Sequence, residues 1–341
     1  MLMDYELYFG RSAFGIPFLW KEAANAHICI TGRSGEGKTF LLLKLISQLQ
    51  KQKVRCVVFD CSGDFCPKDE VNPLGWQASG VDYIDAREGI PVAPFRHKSQ
   101  NETSREIAQR LTDMIGACFR LGEIQWAYLS GIIREGLQEK TISSFSDLIA
   151  SLKGDKENRD IARRLLPKLS MLNSHLSETK EPIDRKLETP GLTIMNLHGI
   201  CDDASQAVLT EMLLEEICGS RMRSDPGAHM PIVLVFDECQ RLRFQNGSLI
   251  TRVLREGRKY AISGWFSTQW IQSKTMAGAL GQAALHVFFR PEDEALHKTA
   301  KMLAGGNRSR IQLCERRLAT LKRGQFLIPE GGSLRVLSLA D

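Results

Sequence analysis

The feature that most constrains the fold of this 341-residue chain is a glycine-rich segment that directly follows a short apolar run at 27–31. The segment matches the spacing G-x-x-x-x-G-K-[ST] without a mismatch, through Gly32, Gly37, Lys38 and Thr39. The run FLLLKLI that follows it is typical of a largely buried helix. A strand, a glycine-rich loop and a helix in this order predict a loop that binds phosphate at the edge of an α/β sheet.

Each residue type in the loop has a chemical reason to be there. Glycines let the backbone turn so tightly that its N–H groups point at phosphate oxygens. Lys38 can reach the β- and γ-phosphates of a nucleoside triphosphate, and the Thr39 hydroxyl can ligate Mg²⁺. The predicted nucleotide-binding residues are Gly32, Ser34, Gly35, Glu36, Gly37, Lys38, Thr39 and Phe40. The alternative is a glycine-rich turn between strand and helix that binds nothing.

Composition predicts a globular protein without a membrane-spanning segment. The chain is 43% hydrophobic and 25% charged, which is ordinary for globular proteins. No apolar run reaches the ~18 residues needed to span a bilayer, and the first residues lack the pattern of a signal peptide. The nine cysteines form no C-x-x-C pair and suit a reducing compartment, with a metal site at Cys61 and Cys66 as the alternative. We therefore expect a cytoplasmic protein.

The order of the predicted elements indicates an α/β fold with an all-helical insertion. Strands and helices alternate, and several strands are apolar on both faces, as in a mainly parallel sheet covered by helices. We assign 1–100 and 191–341 to the two parts of this core. The segment 101–190 is assigned to the insertion, with helical spacing to about 180 and a polar stretch at 177–190. The first 26 residues can form a small hairpin, and helices at 292–304 and 309–322 end the fold. The predicted strands lie at 27–31, 54–59, 81–84, 192–197, 232–236, 261–267 and 284–289.

Two adjacent carboxylates, Asp237 and Glu238, follow the apolar strand at 232–236. Acids at the C-terminal end of a parallel strand lie at the edge of the sheet where ligands bind. Asp237 is placed to hold Mg²⁺ through water, and Glu238 is placed to polarise the attacking water as a general base. The alternative is a strand that simply leaves the sheet into solvent at these two acids, and the loop at 32–39 favours the catalytic interpretation.

The next strand ends in the sequence FSTQ, which places Gln269 at its tip. In P-loop ATPases with a catalytic glutamate, the strand after the acidic strand lies between that strand and the phosphate-loop strand. A polar residue at its tip then lies near the γ-phosphate. Gln269 is therefore the candidate sensor of that phosphate, with an ordinary loop glutamine as the alternative.

Basic charge concentrates in the C-terminal third of the chain. The segment 241–260 contains six basic residues and one acid, and Arg252, Arg255 and Lys259 share one face of a predicted helix. Three interpretations of this face remain open: a solvated surface, an arginine that reaches the γ-phosphate of a neighbouring subunit, or contact with nucleic-acid phosphates. The candidates for an arginine acting in a neighbour are Arg255 and Arg258. Further basic candidates for nucleic-acid contact are Arg241, Arg243, Arg308 and Arg310.

These segments together resemble the HerA/FtsK superfamily of hexameric P-loop motors, and the HerA-type branch most closely. The resemblance rests on 32–39, on 58–64, on 235–238 and on the sequence REGRKY at 255–260 with a downstream STQ, and it spans most of 25–330. It implies a RecA-like core, a ring of six, ATP at subunit interfaces and duplex DNA in the pore. The chain departs from the family in having Cys-Gln after the two acids, and we expect a minimal form without the usual N-terminal β-barrel.

The resemblance also implies a function. Minimal HerA-like ATPases look like the motor half of two-protein systems, often antiviral in bacteria, whose other protein is a nuclease or another effector. We therefore expect a homo-hexameric ATPase that translocates or unwinds duplex DNA for a partner protein. The alternative is an ATP-switched scaffold ring that regulates a bound effector without processive movement on DNA. A third interpretation, a small-molecule kinase, leaves the arginine-rich segment without a purpose.

Overall fold

The computed structural model describes residues 5–21, 25–66, 80–177, 183, 187–227, 229–305 and 307–339. The chain forms two compact units. The core unit consists of Met1–Tyr83, Glu188–Asn196 and Gly227–Asp341, and the helical unit consists of Ile84–Leu187 and Leu197–Pro226. The core unit carries the predicted phosphate loop and the predicted acidic strand.

Eleven strands of the described residues form one sheet in the order β2-β1-β11-β10-β9-β3-β8-β7-β4-β6-β5. The six strands from β9 to β6 in that order pair in parallel, which confirms the prediction of a mainly parallel sheet. The strands are β1 Leu7–Arg11, β2 Pro17–Trp20, β3 Ile28–Thr31, β4 Arg55–Asp60, β5 Val81–Asp85, β6 Leu192–Asn196, β7 Ile232–Phe236, β8 Ile262–Thr268, β9 Leu285–Phe289, β10 Gln325–Glu330 and β11 Ser333–Ser338.

The central strands are apolar because both of their faces are covered. Every residue of β3, β4, β7 and β8 is buried. The helix after the phosphate loop, α1 at Lys38–Lys51, buries Leu42, Leu45 and Ile46 in the same core as Ile30 of β3. Burial of such side chains stabilises the fold by roughly 1.5–3 kcal/mol each. The loop between β3 and α1 is therefore fixed at both ends by buried elements.

Four more helices belong to the core unit, namely α7 Leu249–Glu256, α8 Lys274–Leu280, α9 Asp293–Leu303 and α10 Arg308–Ala319. The last two pack on the sheet through a small cluster of their own that includes Leu303, Leu318 and Leu327. None of the helices in the described ranges has both the length and the apolar character that crossing a bilayer requires.

The helical unit contains α2 Ser104–Phe119, α3 Glu123–Gln138, α4 Phe145–Gly154, α5 Arg159–Asn173 and α6 Asp203–Cys218. A capping box between Thr103 and Glu106 starts α2. Glu216 of α6 is buried and forms ion pairs with Lys98 and with Arg96, the second at 2.7 Å. The division by sequence placed 191–341 in the core, whereas the structure places α6 in the helical unit.

Two parts of the fold differ from the prediction. The sequence interpretation ended the chain on two helices, but the structure adds an antiparallel hairpin of β10 and β11, which joins the sheet beside β9. Its turn contains Gly331 and Gly332, both at positive φ, as a tight hairpin requires. The short helix α8 was also missed. The hairpin suggested for the N-terminal lead-in is present as β1 and β2.

Candidate functional site

The predicted phosphate loop lies where β3 ends and α1 begins. Its glycines are needed, since Gly35 and Gly37 have φ of 79° and 114° and a Cβ on Gly32 would lie 2.4 Å from the Cβ of Phe289. The backbone N–H of Arg33 donates to the carbonyl of Arg290 at 2.9 Å. The loop is thus attached to the end of β9 as well as to its own helix.

Lys38 folds back across this loop. Its Nζ donates to the carbonyl of Arg33 at 3.0 Å, and the side chain is buried. Burial lowers the pKa of the Lys38 ammonium, and the negative charges of Glu238 and Asp237 oppose that shift. The ammonium is therefore held at the loop by one carbonyl and two nearby carboxylates, where a phosphate would offer it a stronger partner.

The acids at the ends of β4 and β7 form a continuous polar edge with the loop. Asp60 accepts hydrogen bonds from the backbone N–H groups of Gly63 at 2.7 Å and Phe65 at 3.2 Å. The Ser62 hydroxyl donates to Asp237 Oδ2 at 2.7 Å. The Thr39 hydroxyl lies 3.4 Å from Asp64 Oδ2. The segment after β4 thus joins the two halves of the predicted site.

Asp60, Ser62 and Asp64 are among the site residues to which sequence reasoning assigned no role. The segment DCSGD was noted only as part of the family resemblance, although two acids after a buried strand are the same signal that identified Asp237. Asp60 holds the turn, and Ser62 positions the buried carboxylate. Their contribution depends on the pairing of β4 with β7, which no single segment of sequence reveals.

Burial raises the pKa of the Asp237 carboxyl to about 7. The Ser62 hydroxyl opposes this shift, while the charges of Glu238, Asp60 and Asp64 add to it. Hard oxygen donors of this kind suit Mg²⁺, which usually takes one or two protein ligands and completes its shell with water and phosphate. The residues that would hold the ion are Thr39 and Asp237. Among the described residues no cluster of three or more His, Cys, Asp or Glu side chains could hold a metal by itself.

The stability of the metal-free protein is expected to depend on the ionisation of Asp237. Because its pKa in the folded protein is about 7 rather than 3.8, the stabilisation is complete below about pH 4 and is lost as the pH rises through about 7. We expect the free energy of unfolding in EDTA to fall by roughly 2–4 kcal/mol across this interval. Chemical denaturation of the wild type and Asp237→Asn at the two ends of the interval measures this, and equal pH slopes would contradict the assignment.

Glu238 and Gln269 are brought together, as β8 lies between β3 and β7. Glu238 follows β7 at φ 51°, a left-handed conformation that costs a non-glycine residue about 1–2 kcal/mol. Its Oε1 accepts a hydrogen bond from Gln269 Nε2 at 3.0 Å, and its Oε2 accepts one from the Gln240 amide. Strained conformations of this kind cluster at functional sites.

The predicted arginine face is only partly helical. α7 ends at Glu256, so that Arg258 and Lys259 lie on a 3₁₀ turn beyond it. Arg255 and Arg258 are both exposed, and Arg255 Nη2 donates to Asn246 Oδ1 at 3.3 Å. The opposite face of α7 is buried through Ile250, Val253 and Leu254.

The other basic candidates divide into two kinds. Arg241 Nη1 lies 3.5 Å from the carbonyl of Cys61, and Arg310 Nη2 donates to the carbonyl of Gly332 at 2.6 Å. Arg241 therefore contacts the loop after β4, and Arg310 contacts the turn between β10 and β11. Arg243 is half-buried and Arg308 is exposed.

Two cavities border the phosphate loop. One, of about 590 Å³, is lined by Ser34, Gly35, Glu36 and the segment 319–323. Glu36 is buried and pairs with Arg33 at 2.6 Å, so that its side chain serves the loop itself. The other, of about 380 Å³, is lined by Thr31, Gly32, Gln269, Trp270 and part of α9. Phe40 is 39% exposed at the first turn of α1.

The phosphate loop and the strand order define an α/β fold of the RecA-like P-loop class. The family model described as Helicase HerA, central domain, matches residues 10–217, which is more than half of the chain. The chain therefore belongs to the HerA central-domain family, and the predicted resemblance is confirmed. No curated protein sequence matches the chain.

Solved structures of low sequence identity share the fold. VirB4 of Thermoanaerobacter pseudethanolicus matches with a TM-score of 0.72 and 19% identity, over 99% of this chain and 97% of its own. The conjugative coupling protein TrwB, lacking its first 70 residues, matches with a TM-score of 0.67 and 15% identity, over 99% of this chain and 90% of its own. TrwB has been solved with the ATP analogue ADPNP and with ADP and Mg²⁺.

Proposed function

We propose that this chain is a ring-forming ATPase that hydrolyses Mg²⁺-bound ATP and uses the cycle to move duplex DNA for a partner effector. The observation that carries the proposal is the position of Glu238, which follows β7 and is separated from the phosphate-loop strand β3 by one strand, β8. The ligands in the TrwB structures support ATP and Mg²⁺ as the nucleotide and the ion.

The loop residues bind and orient the triphosphate. Backbone N–H groups of 32–39 donate to phosphate oxygens, and the α1 N-terminus adds its positive dipole. Lys38 exchanges the carbonyl of Arg33 for the β- and γ-phosphates. Thr39 and Asp237 would hold Mg²⁺, which when bound would neutralise charge that develops on the transferred phosphoryl group.

Glu238 is the general base of the proposed reaction. It accepts the proton of the water that attacks the γ-phosphate, provided that a carboxylate oxygen is within hydrogen-bond reach of that water. Gln269, which donates to Glu238 Oε1 in this structure, is then the sensor that contacts the γ-phosphate. A positioned base of this kind contributes roughly 10²–10⁴-fold to the rate.

A neighbouring subunit completes the proposed site. Arg255 and Arg258 are exposed on α7 and the turn that follows it, so that either can reach a γ-phosphate across an interface. Hydrolysis then depends on assembly, and we propose the six-membered ring that the family resemblance implies.

Duplex DNA is the proposed substrate of the motor. The chain has a net charge of +5, and the segment 241–260 contributes a surplus of five positive charges. All nine cysteines are free, which suits a cytoplasmic protein. The partner effector, a nuclease in the leading form of the proposal, and a role in antiviral defence follow from the resemblance alone.

The scaffold alternative keeps the same ATP site but dispenses with movement on DNA. The two functions differ in what changes turnover. A motor is stimulated by duplex DNA, and the stimulation falls steeply between about 50 and 200 mM salt because bound phosphates release counterions. Turnover that responds to a partner protein but is indifferent to DNA would favour the scaffold.

Lys38→Ala is expected to weaken nucleotide binding by about 10- to 100-fold, since it removes a charged donor worth roughly 1.5–3 kcal/mol. Equilibrium titration with a fluorescent ATP analogue measures this effect. The exposed Lys51, at the other end of α1, provides a matched control as Lys51→Ala. Wild-type affinity and turnover in Lys38→Ala would refute the proposed site.

A further inference from the structure

Glu238 is held by two glutamines rather than by one. The Gln269 Nε2 donates a hydrogen bond to Glu238 Oε1 at 3.0 Å, and the Gln240 amide donates one to Glu238 Oε2. Gln240 lies on a 3₁₀ turn, Cys239–Arg241, directly after Glu238, and is 9% exposed. Neither carboxylate oxygen is therefore free of a protein donor.

Gln240 is itself held by the strand between the two halves of the site. Its Oε1 accepts a hydrogen bond from the Thr268 hydroxyl at 2.8 Å, and Thr268 is fully buried at the end of β8. This bond fixes the orientation of the Gln240 amide. Because Oε1 of Gln240 points toward Thr268, Nε2 of the same amide points toward Glu238. Removal of the hydroxyl would free Gln240 to turn.

The Thr268 hydroxyl has two acceptors but a single proton. Its oxygen lies 2.8 Å from Gln240 Oε1 and 2.8 Å from the carbonyl of Trp270. A hydroxyl donates to one acceptor at a time, so that the two bonds exclude each other. Trp270 is 46% exposed and lines the cavity of about 380 Å³ beside α9.

We propose that Gln240 is a positioning residue that restrains Glu238. The restraint depends on whether the Thr268 hydroxyl donates its proton to Gln240 or to the Trp270 carbonyl. The inference rests on the proposed role of Glu238 as the general base. While Thr268 donates to Gln240, the amide occupies a carboxylate oxygen that the attacking water needs. When Thr268 donates to Trp270, Gln240 turns away and that oxygen becomes available.

The position of Trp270 explains how a change at the protein surface can alter the restraint on Glu238. The next residue is tied to α9, because Lys298 Nζ donates to the carbonyl of Ile271 at 2.6 Å. A displacement of α9 or of the Trp270 side chain therefore moves the carbonyl that competes for the Thr268 proton. Gln269, one residue earlier, contacts Glu238 directly, so that the same segment carries both the sensor and the switch.

The test is ATP turnover of the full-length protein in the absence of DNA. Gln240→Met keeps the size of the side chain but cannot donate to Glu238, and we expect kcat to rise about 5- to 10-fold, the effect of one lost hydrogen bond, with KM unchanged. Thr268→Val removes the hydroxyl at constant shape and should act in the same direction. Thr268→Ser keeps the hydroxyl and should retain the restraint.

A merely structural role gives the opposite result, since a damaged site lowers kcat. Turnover at or below wild type in Gln240→Met, or in Thr268→Val if the first variant does not fold, would overturn the restraint. Glu238→Gln in the Gln240→Met background distinguishes a failure of the restraint from a failure of Glu238 as the base. If turnover persists there, Glu238 is not the base and the proposed function is wrong; if it vanishes but Gln240→Met alone shows no rise, only the restraint is wrong.

Discussion

Turnover of ATP is expected to fall by about 10³-fold or more when Arg255 and Arg258 are both replaced by alanine. Both side chains are exposed, and α7 buries its other face, so that the substitutions remove charge without opening the core. The expected loss is large because a guanidinium contacts the γ-phosphate most strongly in the transition state. Binding of ATP by each subunit, which depends on its own loop, is expected to persist.

Mixing variants tests whether the arginine acts between subunits. A Lys38→Ala subunit has a defective loop but intact arginines, whereas the double arginine variant has the reverse defect. If the arginine acts in a neighbour, a mixture of the two inactive proteins regains turnover. Arg105→Ala, at an exposed position on α2, is the matched control and should keep wild-type turnover. A mixture that stays inactive, or a double variant with wild-type turnover, would refute the interface role.

Glu238→Gln is expected to lower kcat by about 10²–10⁴-fold while Mg²⁺-dependent ATP binding persists. Glutamine has the shape of glutamate but cannot accept the proton of the attacking water. In the proposed site Lys38, Thr39 and Asp237 hold the phosphates and the ion, so that binding is expected not to require Glu238.

Single-turnover hydrolysis, compared with equilibrium binding of the same nucleotide, separates the two effects of Glu238→Gln. Glu256→Gln, at a half-buried acid of α7, is the control for the loss of one negative charge. A Glu238→Gln protein that hydrolyses ATP within about threefold of the wild-type rate would require a different base.

Sequence identified the parts of the fold that obey local rules. The phosphate loop was predictable because its backbone conformation requires glycine at fixed positions. The strand at 232–236 was predictable because a strand buried on both faces is continuously apolar. The position of β8 between β3 and β7 followed from the class of ATPase with a catalytic glutamate. The tip of β8, which carries Gln269, could therefore be expected at the same edge of the sheet as the phosphate loop.

Other parts depend on pairings that no local pattern reveals. The sequence predicts a helix at about 204–222, but α6 is buried on all sides from Ser205 to Cys218, so that no polar face indicates the unit to which it belongs. The C-terminal hairpin is indicated by the Gly331-Gly332 dipeptide between two β-like runs, a signal that the prediction of two terminal helices does not use. Gln240 and Thr268 are 28 residues apart and meet only because β7 and β8 are neighbours.

The proposed ring motor is tested most directly by ATP turnover of the purified protein over a concentration series, with and without duplex DNA, while light scattering records the mass of the assembly. A ring motor requires that turnover per subunit rises as the ring assembles and rises again when DNA is added. A monomer that hydrolyses ATP at a fixed rate per subunit, indifferent to DNA, would contradict it.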